Sequence, residues 1–179
     1  YDAVTGLAKV IIDRAQLTAA TVTGGEYTGQ PVEGTVSDVK AGELTGLVEN
    51  TDYTVTFYNN VNAGENTALA VIMGTGNFTG TLIKTFTIPP KKLTPQMVSE
   101  IAGQPYTGEQ VKPDVTVTDG STTLMEGKDF TVTYGDNNSA GTNAGTVIIT
   151  GTGNYAGTVT KQFDITNAGP FEVIVDNTT

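Results

Sequence analysis

The chain has 179 residues, 9 basic against 19 acidic side chains for a formal charge of −10, and no His, Cys or Trp. The missing His and Cys exclude zinc fingers, iron–sulfur clusters, His-ligated metals, Ser-His-Asp triads and thiol nucleophiles. The acidic balance opposes a phosphate backbone and no basic run offsets it, so no nucleic-acid partner is expected. No stretch approaches the roughly 20 apolar residues that span a bilayer, so the chain is not expected to be membrane-embedded. Zero Cys fits either a reducing compartment or a surface protein that does without disulfides.

Thr occurs 33 times against 4 Ser, and its branched Cβ suits strands and penalises helix. In chain order, Tyr1 to Ile12 matches the end of a unit that recurs further along the chain, with Val10 and Ile12 where Phe86 and Ile88 fall. This segment, 1–14, is read as the last strand of a preceding repeat. Strands are then predicted near Leu17 to Val22, Val32 to Val39 and Leu44 to Val48. Tyr53, Val55 and Phe57 alternate with Thr54 and Thr56, the pattern of a half-buried antiparallel strand. Ala68 to Ile72 is too apolar to alternate and too short for a helix, and is read as a central strand covered on both faces. Gly74-Thr75-Gly76-Asn77-Phe78 is a hairpin connection into a last strand, Thr81 to Ile88.

The pattern then starts again. Asp52 to Ile88 aligns with Asp129 to Ile165 at a constant offset of 77, without a gap and with 18 identities in 37 positions. Upstream the offset is 79 at Tyr27/Tyr106 and 76 at Leu17/Leu93, so short indels lie in the loops. Counterpart strands are expected near Thr94 to Ile101, Val111 to Val117, Thr122 to Met125, Phe130 to Tyr134, Val147 to Ile149 and the segment ending at Ile165. The expected division is one repeat at 15–88, a second at 89–165 beginning with Pro89-Pro90-Lys91-Lys92, and a tail at 166–179 with an extra strand at Phe171 to Val175. Short strands punctuated by Gly and Asn every 8 to 12 residues describe an all-β chain of two tandem small immunoglobulin-like β-sandwiches.

Tyr-Thr-Gly at 27–29 and 106–108, Asp-(Tyr/Phe)-Thr-Val-Thr at 52 and 129, (Asn/Ser)-Ala-Gly at 62 and 139, Gly-Thr-Gly-Asn at 74 and 151 and the closing Lys-x-Phe-x-Ile form a combined pattern. From Leu17 to Ile165 it resembles the Ig-like, MBG-type tandem repeats of bacterial adhesins and large surface proteins of gut bacteria. That resemblance implies an extracellular, cell-surface setting. It also implies a spacer or adhesive role, with adjacent repeats and a host or neighbouring-cell surface protein or glycan as partners. Such modules serve as spacers, adhesive tips and accessory domains alike.

No catalytic, cofactor-binding or metal-binding residue is assigned, and no cofactor. The Gly74 and Gly151 loops lead into strands, where a dinucleotide fingerprint needs a helix. Glu49/Glu126 and Asp52/Asp129 are the carboxylates aligned in both repeats, and an acid after a turn at a strand start is read as a cap. Ten of 13 aromatics form repeat-matched pairs, which reads as core and hairpin packing and argues against a sugar-stacking platform. Lys84 and Lys161 share parity with the apolar faces of their strands, so each must snorkel at the sheet margin or find an acid; the expected partners are Asp52 or Glu49 for Lys84 and Asp129 or Glu126 for Lys161. Asn59-Asn60-Val61-Asn62 and Asp136-Asn137-Asn138 offer oxygens of the kind calcium takes, but the first loop has no carboxylate. Asn77, Asn137 and Asn177 stand in glycosylation triplets, which in a bacterial chain are read as chance matches.

Overall fold

The computed structural model describes residues 11–167 and is all-β, with several sheets and no α-helix among the described residues. The expected strands at 1–14 and 171–175 fall wholly or mainly outside those residues. The chain divides into two compact units, Tyr1–Pro89 and Pro90–Thr179.

Unit 1 contains β1 (Ala15–Gln16), β2 (Ala19–Thr23), β3 (Thr35–Lys40), β4 (Tyr53–Tyr58), β5 (Gly64–Gly74), β6 (Phe78–Thr79) and β7 (Thr81–Ile88). The antiparallel pair β2–β3 and the antiparallel sheet β4–β5–β7 enclose its core. At one end Leu17, Ala20, Val39, Ala41, Tyr53 and Ile72 pack together; at the other, Val32, Ala68, Ala70, Phe86 and Ile88. Phe57 meets Phe86 edge to face, with ring centroids 5.8 Å apart. This β-sandwich-like arrangement follows from the alternation: Ala68, Ala70 and Ile72 share parity on β5 and meet Phe86 and Leu82 across β7.

Unit 2 contains β8 (Lys91–Lys92), β9 (Gln104–Pro105), β10 (Thr118–Asp119), β11 (Thr122–Thr123), β12 (Phe130–Tyr134), β13 (Gly141–Gly151), β14 (Tyr155–Ala156) and β15 (Thr158–Thr166). Its main sheet runs β12–β13–β15–β9, with β9 parallel to the end of β15. Val117, Val147, Ile149, Phe163 and Ile165 are each 0–2 % exposed.

Four expectations need correction. Leu44 to Val48 is not a strand; only a bridge between Ala41 and Leu44 forms there. Nor is Val111 to Val117, since of those residues only Val117 pairs, in a bridge to Val98. Thr94 to Ile101 is not a strand either, because Pro95 opens a short 3-10 turn, Pro95–Met97, and pairing is reduced to the bridge Val98–Val117. Proline has no N–H for a ladder and pushes Thr94 into extended backbone (φ −122°). Ala68 to Ile72 belongs to a central strand, but one covered on one face: Leu69 and Val71 are half-exposed on the other.

Both long strands carry a matched bulge. The register shifts between Gly64 and Ala68 and between Gly141 and Gly145, with Asn66 and Asn143 at φ 54° and 52°. The side chain of Thr87 or Asp164 accepts the bulged N–H of Asn66 or Asn143, at 3.0 and 2.8 Å.

Candidate functional site

The residues that match at the 77 offset hold turns and edges. Gly74 and Gly151 begin a tight connection in which Phe78 N–H donates to Thr75 O and Tyr155 N–H to Thr152 O. Gly76 and Gly153 supply the positive φ, 58° and 63°, that the turn requires. Asp52 accepts the N–H of Val48 at 2.8 Å and Asp129 that of Met125 at 2.9 Å, so both carboxylates cap the turn before their strand.

The expected lysine partners are not the ones found. Lys161 pairs with Glu100 at 2.5 Å, not with Asp129 or Glu126, and Lys84 makes no ion pair among the described residues. Glu100 lies in the segment after the 3-10 turn, which sequence parity could not place beside β15. With the Glu100 side chain 90 % exposed, this bridge contributes little to stability.

The Asn-rich loops serve as clasps. Asn137 is 3 % exposed; its amide donates to Val111 O and Thr146 O at 2.9 and 3.1 Å, and its Oδ1 accepts Thr146 N–H at 2.8 Å. Asn60, its counterpart, donates to Val32 O at 3.1 Å. The Asn137 side chain is therefore committed to main chain, and no group of three or more His, Cys, Asp or Glu is placed to hold a metal among the described residues. Asn177 lies outside them.

Two constellations were missed at the sequence level. One is the outer face of β4–β5–β7, where Thr56, Val71 and Ile83 lie in register, flanked by Tyr58 opposite Leu69 and by Thr54, Met73 and Thr81. Ile83, Tyr58 and Met73 are 66, 52 and 51 % exposed. The equivalent face of unit 2 presents Thr133, Ile148 and Thr160, then Thr131, Thr150 and Thr158. The unit 1 face is an uncharged apolar strip, whereas that of unit 2 is Thr-rich and carries Asp164 further along β15. The signal was present at the 77 offset: Leu69, Met73 and Ile83 align with Thr146, Thr150 and Thr160.

The other is a polar cluster in unit 2. Lys91 Nζ donates to both Asp119 oxygens, at 2.7 and 2.8 Å, and the Tyr155 hydroxyl donates to Asp119 Oδ2 at 3.2 Å. Unit 1 has Ala15, Ala41 and Phe78 at those places, since β1 pairs with β6 as β8 pairs with β14, and the Ala41–Leu44 bridge corresponds to Asp119–Thr122. All three partners change together.

Two phenols are electrostatically marked. Burial, then Glu49 and Asp52, push the Tyr53 hydroxyl above its ordinary pKa; burial, then Glu126 and Asp114, do so for Tyr134, which donates to Pro113 O at 2.9 Å. No described helix is long and apolar enough to cross a membrane. No protein-family profile, curated protein or solved structure matches the chain.

Proposed function

We propose that the chain is a pair of tandem immunoglobulin-like repeats from a bacterial cell-surface, adhesin-like protein, acting outside the cell as a non-catalytic spacer or stalk. The observation that carries this reading is the shared closure of the two units. In each, the first strand lies parallel to the segment leading into the last, β1 on β6 and β8 on β14. The chain therefore enters and leaves every unit on neighbouring strands, a plan that can be repeated along an array. The 18 identities in 37 positions and the repeat-matched caps, bulges and hairpins support it. Small-angle scattering tests the spacer role: an elongated rod is expected, and two freely tumbling modules would contradict stiffness. A glycan array and a matrix-protein adhesion assay are expected to be blank.

The apolar strip on unit 1 favours a second reading, a module that binds a host or dietary glycan or a protein partner. An uncharged strip of this kind marks interaction sites more often than an isolated exposed residue does. Binding in those assays that is lost when Met73→Thr and Ile83→Thr copy unit 2 would establish the binder and displace the spacer.

A further inference from the structure

In each unit the chain is entered and left through strands that lie side by side and run the same way. Only Gly80 separates β6 from β7, and only Gly157 separates β14 from β15, so β1 and β8 are in effect parallel to the terminal strand. Tension on the ends of a unit pulls the first strand toward its N-terminus and the last toward its C-terminus. The parallel pair is then loaded lengthwise, and its hydrogen bonds share the force instead of parting one after another. Those bonds match: Ala15 N–H to Asn77 O and Leu17 N–H to Thr79 O at 3.0 and 2.8 Å, Lys91 N–H to Asn154 O and Leu93 N–H to Ala156 O at 2.9 and 2.8 Å.

The side chains across the pair do not match. In unit 2 the Asp119 carboxylate, on the β10–β11 hairpin, accepts from Lys91 on the first strand and from Tyr155 on the strand it pairs with. One acid thus holds both halves of the pair with charge-assisted bonds, and its side chain is 20 % exposed. In unit 1, Ala15, Ala41 and Phe78 offer packing alone.

We propose that the parallel closure is a mechanical latch and that Lys91, Asp119 and Tyr155 make unit 2 the more force-resistant of the two units. This deepens the spacer reading and takes its use from it: under tension unit 1 opens first and limits the load on unit 2. Forced unfolding reads the unfolding rate, which is what a latch controls.

The test is single-molecule force spectroscopy on the full chain held between handles. Ten Gly/Ser residues inserted between Gly42 and Glu43, in an exposed turn, lengthen the unit 1 step by about 35 Å and identify it; the unmarked chain must give the same two forces. The marked step is expected at the lower force. Giving unit 2 the residues of unit 1, by Lys91→Ala, Asp119→Ala and Tyr155→Phe together, is expected to raise its unfolding rate at fixed force about tenfold. The gap then closes while the unit 1 step stays in place. If the triple variant does not fold, Lys91→Met, which keeps the stem and removes the charge, gives the same readout. Equal forces in the parent chain, or an unchanged unit 2 rate in a variant whose β13 amides remain protected, would overturn the latch. Neither result touches the spacer reading, which stands or falls on scattering and adhesion.

Discussion

Units 1 and 2 reach the same core by different hydrogen-bond routes. Leu17 and Leu93 are both buried, as are Ile72 and Ile149, Phe86 and Phe163, Ile88 and Ile165. Yet β2 and β3 form a ladder from Ala19–Lys40 to Thr23–Thr35, while the matching segment of unit 2 makes the Pro95 turn and the bridge Val98–Val117. Unit 2 ties that side with the Lys91–Asp119–Tyr155 cluster instead. Burial of apolar side chains is the fixed requirement, because each deletion leaves a void in close-packed surroundings. The backbone beneath them can be strand or turn so long as its polar groups are paired.

The strongest challenge to this parity is a core truncation. Ile72→Ala and Ile149→Ala should each destabilise their own unit by about 2–5 kcal/mol and leave the other unchanged, measured by hydrogen exchange of the β5 and β13 amides. Unequal losses would mean that the two cores are not equivalent.

A sharper difference is expected at position 68/145. Ala68 is fully buried in unit 1, whereas a Cβ on Gly145 would meet the ring of Phe163. Gly145→Ala should cost unit 2 about 1–3 kcal/mol by overpacking, and Ala68→Gly should cost unit 1 about 1 kcal/mol through a small void and added chain freedom. Chemical denaturation of each variant checks both signs.

The clasps differ in the number of bonds. Asn137→Ala leaves Val111 O and both main-chain groups of Thr146 without their side-chain partner, and about 2–3 kcal/mol is expected; Asn60→Ala removes one half-buried bond, for about 1 kcal/mol. Equal effects would show that burial of the clasp is irrelevant.

The smallest effect is the alkaline one. Tyr53 and Tyr134 have folded pKa values above the ordinary 10.0, so above that pH the unfolded chain loses protons that the folded chain keeps. Their contribution is complete below about pH 10 and is lost as pH rises through the folded values. The urea midpoint should be insensitive to these phenols from pH 7 to 9 and fall above pH 10, and Tyr53→Phe, which copies Phe130, should remove the share of unit 1. A fall that persists unchanged in Tyr53→Phe would assign it elsewhere.

Much of the fold was legible in the residues alone. Period-two alternation placed β4, β7, β12 and β15, and the duplicated Gly-Thr-Gly-Asn marked the hairpins, because side-chain parity and positive φ are local properties. The turn caps at Asp52 and Asp129 were legible for the same reason, each bonding only four residues away. The loss of the strand at Pro95 was not legible: Thr94 to Ile101 reads as a strand by analogy with Leu17 to Val22, and the turn that replaces it depends on what Val98 can reach.

By itself the sequence determined the strand-forming bias, the alternating faces, the hairpins and the duplication, all of which rest on local backbone preference and on positions compared along the chain. Only the tertiary structure decided that Lys161 meets Glu100, 61 residues away, that Lys91 and Tyr155 converge on Asp119, and that one face of β5 stays open. These depend on which strands become neighbours and in what register, and that is settled by burying apolar side chains from distant segments in one core, for which no short window of sequence carries the answer.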